Sequence, residues 1–113
     1  MSTQIRRQGD VAIVEPNGRI MGPSALELRE VIVPEVEASD SPRILINFEH
    51  VNMIDSSGLG VLLEARALTI RKNGRIGVVH VSKGIKNLVA LSRLVSMFEN
   101  YDDEDGAVVG LSA

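Results

Sequence analysis

The stretch from Asp55 to Gly60 reads Asp-Ser-Ser-Gly-Leu-Gly and stands between a short apolar segment, residues 51–54, and a long run of helix-forming residues. Aspartate and serine often begin a helix, because their oxygens accept hydrogen bonds from its unpaired backbone N–H groups. The same N–H groups and the helix dipole favour a phosphate at this end. The stretch therefore predicts a helix start, with Asp55, Ser56 or Ser57 either as a simple cap or as part of a phosphate-carrying site.

The glycines of this stretch have two explanations at the level of sequence. Gly58 and Gly60 either leave the approach to the helix end free of side chains or allow close packing of the helix on a sheet. A phosphate on Ser57 would add about −1.5 to −2 charges and three acceptor oxygens at this point.

Upstream of this stretch the apolar pattern predicts a hairpin, a helix and a buried strand. Ile5 and residues 11–14 flank the turn signal Gly9-Asp10, which indicates two antiparallel strands, the second ending at Pro16-Asn17-Gly18. Residues 43–48 form a compact apolar run that is typical of a buried central strand.

The helix between these strands is predicted to begin at Pro23, since proline suits the first helical turn. Its apolar stripe consists of Ala25, Leu28, Ile32 and Val36. Pro34 lies inside this pattern, and because it lacks a backbone donor we expect a kink or an early end there.

Downstream, the long helix is predicted to stop at Asn73-Gly74. Its expected apolar face consists of Leu59, Leu62, Leu63, Ala67 and Ile70. A strand over residues 75–81 and a helix capped by Ser82 follow, and the acidic stretch from Asp102 to Asp105 favours a last short helix.

The order of these elements predicts one α/β domain spanning residues 1–113. Helical crossovers between strands indicate a mixed, mainly parallel sheet of about four strands, with helices packed chiefly on one face.

Composition excludes several classes of function. Aromatic residues make up only 3% of the 113 residues and the formal net charge is −3, which argues against base stacking and against direct nucleic-acid binding. The chain has no cysteine, so thiolate catalysis and thiolate metal sites are excluded. No apolar run approaches the roughly 20 residues that span a bilayer, and the first residues lack the apolar core of a signal peptide. We therefore expect a cytoplasmic protein without membrane insertion.

No catalytic, metal or cofactor site is predicted. His50 and His80 lie outside any nucleophile pattern, and the Gly-x-Ser-x-Gly elbow of hydrolases is absent. The acidic residues 102–105 lack the alternating ligands of an EF-hand loop, which favours a solvated helix start over calcium binding. No P-loop or dinucleotide fingerprint supports an enzyme or a nucleotide-binding protein.

The run from Val51 to Leu62 resembles the signature of the STAS domain, specifically that of the bacterial anti-sigma factor antagonists. The resemblance extends to Gly18 after the second strand, to residues 43–47 as the central strand, and to the turn at residues 73–76. It implies a STAS-like fold and a protein that binds a partner rather than an enzyme.

The resemblance also implies a switch. In such proteins the second serine, here Ser57, is phosphorylated by a partner that is both a serine kinase and an anti-sigma factor. The unphosphorylated antagonist binds this partner and frees a sigma factor, phosphorylation blocks binding, and a serine phosphatase restores it. Asp55 would cap the helix or hold the loop, and Ser56 would be a structural or contact hydroxyl. Gly58 and Leu59 would help to form the docking surface.

The chain departs from the family pattern at Met21. Many members carry Gly-x-x-Asp in the loop before the first helix, whereas this chain has Gly18-Arg19-Ile20-Met21. That loop lies near the phosphorylated serine and contributes to partner binding in the family. Met21 therefore either makes the docking patch more apolar or is a tolerated loop substitution. The departure also favours an alternative, a STAS subunit of a stressosome-like scaffold or of a transporter complex that uses the same surface without regulated phosphorylation.

Overall fold

The computed structural model describes residues 2–81 and 85–113, which form six strands and four helices. In chain order these are β1 (Ser2–Gln8), β2 (Val11–Ile20), α1 (Pro23–Glu37), β3 (Arg43–Asn47), β4 (Val51–Ile54), α2 (Ser56–Arg71), β5 (Arg75–Val79), α3 (Leu88–Met97), β6 (Glu99–Tyr101) and α4 (Glu104–Ser112). The strand order is β1-β2-β3-β5-β6, and β4 pairs with β2. Only β1 and β2 are antiparallel among the described pairs. The predicted α/β class and mainly parallel sheet are confirmed, but the sheet has six strands rather than four.

Strand β2 does not end at Pro16-Asn17-Gly18, as the sequence predicts, but continues to Ile20. Its first residues pair with β3 up to Val14, and its last ones pair with β4 from Gly18 onward. Pro16 lies between these two parallel partners, where its missing N–H removes no bond to either of them. The strand can therefore pass through the turn-like sequence and carry the chain to the start of α1.

The two strands missing from the prediction are short. β4 has four residues with two polar or exposed positions at its centre, and β6 has three residues. Neither presents the alternating or continuous apolar pattern by which strands are recognised in sequence.

The helices cover the two faces of the sheet unequally. α1, α2 and α3 pack on one face, where their buried side chains meet those of Ala12, Val14, Ile44 and Ile46. α4 packs on the other face through Ala107 and Leu111, against Val11, Ile13, Leu45 and Val79. Successive strand residues thus point to opposite faces, and helices lie chiefly on one of them, as predicted.

The buried face of α1 consists of the four predicted residues, Ala25, Leu28, Ile32 and Val36. The early end expected at Pro34 is wrong, because α1 continues to Glu37. Pro34 lies in the last turn, and its own carbonyl oxygen still accepts the N–H of Ala38 at 3.0 Å. Only three residues of the helix follow Pro34, so the backbone N–H that it lacks does not end the helix.

The buried face of α2 differs in part from the prediction. It consists of Gly58, Leu62, Ala65 and Thr69, whereas Ala67 and Ile70 are exposed. Small and polar residues occupy this face because α2 packs closely on α1 and the sheet, and Thr69 Oγ1 donates to Ala65 O at 2.7 Å. The predicted face is correct at Leu62, and Leu59 and Leu63 pack against the core, but it is wrong at Ala67 and Ile70.

The end of α2 at Asn73-Gly74 is confirmed. Asn73 has a φ of 57°, and its N–H donates to Ile70 O at 3.0 Å. The N–H of Gly74 donates to Thr69 O at 2.9 Å, which completes a Schellman motif.

Of the last two helices, α3 starts later than predicted and α4 starts where it was predicted. The predicted cap Ser82 lies outside the described residues, and α3 begins only at Leu88, where Asn87 Oδ1 accepts from Val89 N and Ala90 N. β5 ends at Val79 rather than at residue 81. α4 begins in the acidic stretch as predicted, with Asp103 as its cap.

Candidate functional site

The start of α2 is fixed to the sheet by Asp55. Its backbone N–H donates to Ile20 O at 3.3 Å, which ties the end of β4 to the end of β2. Its side chain accepts the N–H of Gly58 at 2.9 Å and so caps the helix. Asp55, rather than either serine, is therefore the cap that the sequence left undecided.

Gly58 is buried because α2 approaches the sheet very closely at this point. A Cβ atom there would lie 2.4 Å from Ile20 O and 2.8 Å from side-chain carbons of Ile20 and Ile54. At Gly60, by contrast, a Cβ atom would meet no atom within 4 Å. Of the two explanations, close packing applies to Gly58 and an open surface applies to Gly60. Gly58 is therefore buried against Ile20 and Ile54 at the start of α2.

The capping by Asp55 leaves both serines on the surface. Ser56 and Ser57 are the first two residues of α2 and are exposed, and Leu59 is half-buried beside them. Neither serine hydroxyl makes a hydrogen bond within the described part of the chain. The Ser57 hydroxyl is thus accessible, on the positive end of a 16-residue helix.

Met21 lies near this helix start. It follows Ile20, whose oxygen binds Asp55 N, and Met21 O accepts from Ser24 N at 3.1 Å in the turn into α1. Gly22 in this turn has a φ of 52°, a conformation that favours glycine.

Met21 and Asp55 line one groove, which we call the methionine groove. Its volume is about 290 Å³ and its lining consists of Met21, Asn52, Met53, Ile54, Asp55, Lys86 and Asn87. Asn87 holds the far wall, because its Nδ2 donates to Ile54 O at 3.3 Å. The start of α3 is therefore attached to the end of β4, next to the start of α2.

Sequence reasoning missed Met53, Lys86 and Asn87 as members of this site. Asn87 precedes the apolar run from Leu88 and could have been recognised as a helix cap. Met53 and Lys86 carry no comparable signal. The pairing of β4 with β2 brings Met53 to this site, and the bond from Asn87 to Ile54 brings Lys86 to it.

Two residues for which the sequence analysis rejected a catalytic or calcium-binding role, His80 and Asp103, lie away from this groove. His80 and Asp103 line a separate polar pocket at the start of α4, together with Arg6, Asn47 and Glu104. Among the described residues, no group of three or more His, Asp or Glu side chains could hold a metal ion. In the same part of the chain, no helix is long and apolar enough to cross a bilayer.

Glu104 has the best-defined electrostatic environment of this second pocket. Arg6 Nη2 donates to Glu104 Oε2 at 2.6 Å, and Asn47 Nδ2 donates to the same oxygen at 2.7 Å. These hydrogen bonds hold the pKa of Glu104 below its ordinary value, although partial burial acts in the opposite direction. The network joins β1, β3 and α4 and has the form of a structural contact.

Known proteins of similar sequence and structure share this architecture. An anti-sigma F factor antagonist from Paenibacillus polymyxa is 24% identical over 111 residues, which cover 98% of this chain and 95% of the relative. An anti-sigma factor antagonist from Mycobacterium paratuberculosis is 25% identical, with a TM-score of 0.82 over 99% of this chain and 94% of that chain. The phosphorylated form of SpoIIAA, a Bacillus cell fate determinant, is 19% identical, with a TM-score of 0.72 over 96% of this chain and 98% of that chain.

The model of one protein family spans almost the whole chain. It is the STAS domain, and it matches residues 2–107, from the first strand into α4. The match includes the Asp-Ser-Ser-Gly-Leu-Gly segment and the strands and helices that position it. This chain therefore belongs to the STAS-domain family.

Proposed function

We propose that this chain is a cytoplasmic anti-sigma factor antagonist, switched by phosphorylation of Ser57. In its unphosphorylated form it binds a serine kinase that is also an anti-sigma factor, and thereby frees a sigma factor. A serine phosphatase reverses the modification. The chain itself acts by binding and needs no cofactor.

The observation that carries this proposal is the exposure of Ser57 on a helix start that is already capped. Because Asp55 caps α2, the Ser57 hydroxyl is available to a kinase. An antagonist role also agrees with the names of the Paenibacillus and Mycobacterium relatives, and SpoIIAA shows that a protein of this fold carries a phosphate.

A phosphate on Ser57 would act on binding more than on folding. Within the chain, the start of α2 is electropositive and tolerates a negative group. Within a close interface, the added −1.5 to −2 charges cost desolvation and like-charge repulsion, unless the partner offers a cation. A loss of about 3 kcal/mol would already weaken binding more than 100-fold.

The experiment is a pulldown from lysate of the source organism, with wild type, Ser57→Ala and Ser57→Asp as baits. Wild type and Ser57→Ala are expected to recover an ATP-binding kinase that Ser57→Asp loses. Recovery of the same kinase by all three baits would refute a phosphorylation switch at Ser57.

A second candidate is a STAS subunit of a stressosome-like scaffold or of a transporter complex, without a switch. Met21, in place of the expected acid, favours it, because it lies in the groove next to Asp55. Recovery of the same permease or scaffold protein by all three baits would support this candidate instead.

A further inference from the structure

The methionine groove adds an apolar surface to the start of α2. Met53 is 44% exposed, and Met21 lines the same groove. Exposed apolar side chains that adjoin one another and are rimmed by polar residues are typical of protein interaction sites. Methionine suits such a surface, because its flexible side chain adapts to the partner.

The two charged residues of the groove differ in what they can offer a partner. The carboxylate of Asp55 accepts the Gly58 N–H and is needed to cap α2. Lys86 also lines the groove, and within the described residues it forms no ion pair. Lys86 is therefore the charge that a partner can pair with, and the complementary group is a carboxylate.

Position 21 indicates the chemistry of the rest of the partner surface. Met21 carries no charge, and with Met53 and Ile54 it forms the apolar lining of the groove. An apolar side chain can fill this space without leaving a buried polar group unpaired.

Building on the antagonist role proposed above, we propose that the methionine groove determines which anti-sigma factor is bound. It receives an apolar side chain of that partner, and a neighbouring carboxylate of the partner pairs with Lys86. The groove lies beside the start of α2, because Asp55 lines it and directly precedes Ser56 and Ser57.

The test uses the full chain and the purified anti-sigma factor recovered with the Ser57→Ala bait, titrated by isothermal calorimetry. Met53→Asp is expected to raise the Kd by about 10- to 100-fold, as expected when a charge enters an apolar anchor site. Met53→Leu keeps the apolar volume and is expected to change the Kd by less than about threefold. Lys86→Glu is expected to raise it by about three- to tenfold.

Ile70→Asp is the matched control. Ile70 is 49% exposed, close to the 44% of Met53, but it lies near the other end of α2. At 1.5 Å per residue it is about 20 Å from Ser57 along the helix. We expect Ile70→Asp to bind the anti-sigma factor with the same Kd as wild type. Thermal melts of every variant check that the chain is folded.

The outcomes separate the groove from the switch. If Ser57→Asp loses the anti-sigma factor but Met53→Asp binds it as tightly as Ile70→Asp, the groove proposal is wrong and the antagonist role stands. If wild type recovers no anti-sigma factor, the antagonist role and the groove proposal fail together. Equal weakening by Met53→Asp and Met53→Leu would also contradict an apolar anchor.

Discussion

Replacement of Gly58 by alanine is expected to destabilise the junction between α2 and the sheet. The added Cβ atom would lie 2.4 Å from the backbone oxygen of Ile20, whereas ordinary contact begins at 3.4 Å. The helix start would have to move by about 1 Å, and overpacking of this kind costs about 1–3 kcal/mol. Alanine's higher helix propensity returns at most about 1 kcal/mol, so we expect a net loss of about 1–2 kcal/mol.

Gly60→Ala is the control, because a Cβ atom there meets nothing within 4 Å. This exposed helical position should gain about 0.5–1 kcal/mol from alanine. Urea and thermal unfolding followed by circular dichroism should therefore place the two variants about 2 kcal/mol, or about 8 °C in Tm, apart. A Gly58→Ala protein that melts as high as Gly60→Ala would refute the close approach of α2 to β2.

Three further predictions concern other contacts of the fold. Asp55→Ala should lower the free energy of unfolding by about 1 kcal/mol through loss of the cap, while Asp55→Ser should restore most of it, as measured by urea unfolding. Asn73→Ala should lower the free energy of unfolding by about 1 kcal/mol, because Asn73 has a φ of 57°, whereas Asn73→Gly should not lower it. Equal urea midpoints for these two variants would contradict backbone strain at this position. Arg6 and Asn47 lower the pKa of Glu104 in the folded state. Their contribution to the free energy of unfolding is therefore complete above the ordinary glutamate pKa and is lost as the pH falls from there through the lowered pKa. In Glu104→Gln the urea midpoint should therefore fall less steeply at acid pH than in wild type. Glu30→Gln, at an exposed position, should show the same fall as wild type.

The parts of the fold that sequence could predict are those with a strong local signal. The face of α1 follows a regular apolar stripe, and the end of α2 follows from Asn73, which accepts a positive φ. The acidic stretch before α4 likewise supplies the cap Asp103. In each case neighbouring residues determine the conformation, so no distant contact is needed.

The parts that sequence could not predict depend on distant contacts. β2 passes through Pro16 because two different strands, β3 and β4, take over its pairing in turn. The buried face of α2 includes Ala65 and Thr69 because the neighbouring helix and sheet leave little room for large side chains. Local propensity carries neither kind of information.

The candidate site divides in the same way. The segment from Asp55 to Leu59 could be recognised from its residues, and its fit to a helix start follows from capping chemistry. The contributions of Met53 and Lys86 to the methionine groove arise only when β4 pairs with β2 and α3 attaches to the end of β4. The groove that we propose as a recognition surface therefore becomes visible only in three dimensions.

The most direct test of the proposed switch compares Ser57→Asp with Ser56→Asp in calorimetric titrations of the recovered anti-sigma factor. Both residues are exposed, adjacent and within the first turn of α2, so both substitutions add one charge to the same helix end. We predict that Ser57→Asp raises the Kd by at least about 100-fold while Ser56→Asp changes it by less than about tenfold. Binding of Ser57→Asp as tight as that of wild type, or equal weakening by both variants, would contradict a switch that resides in Ser57.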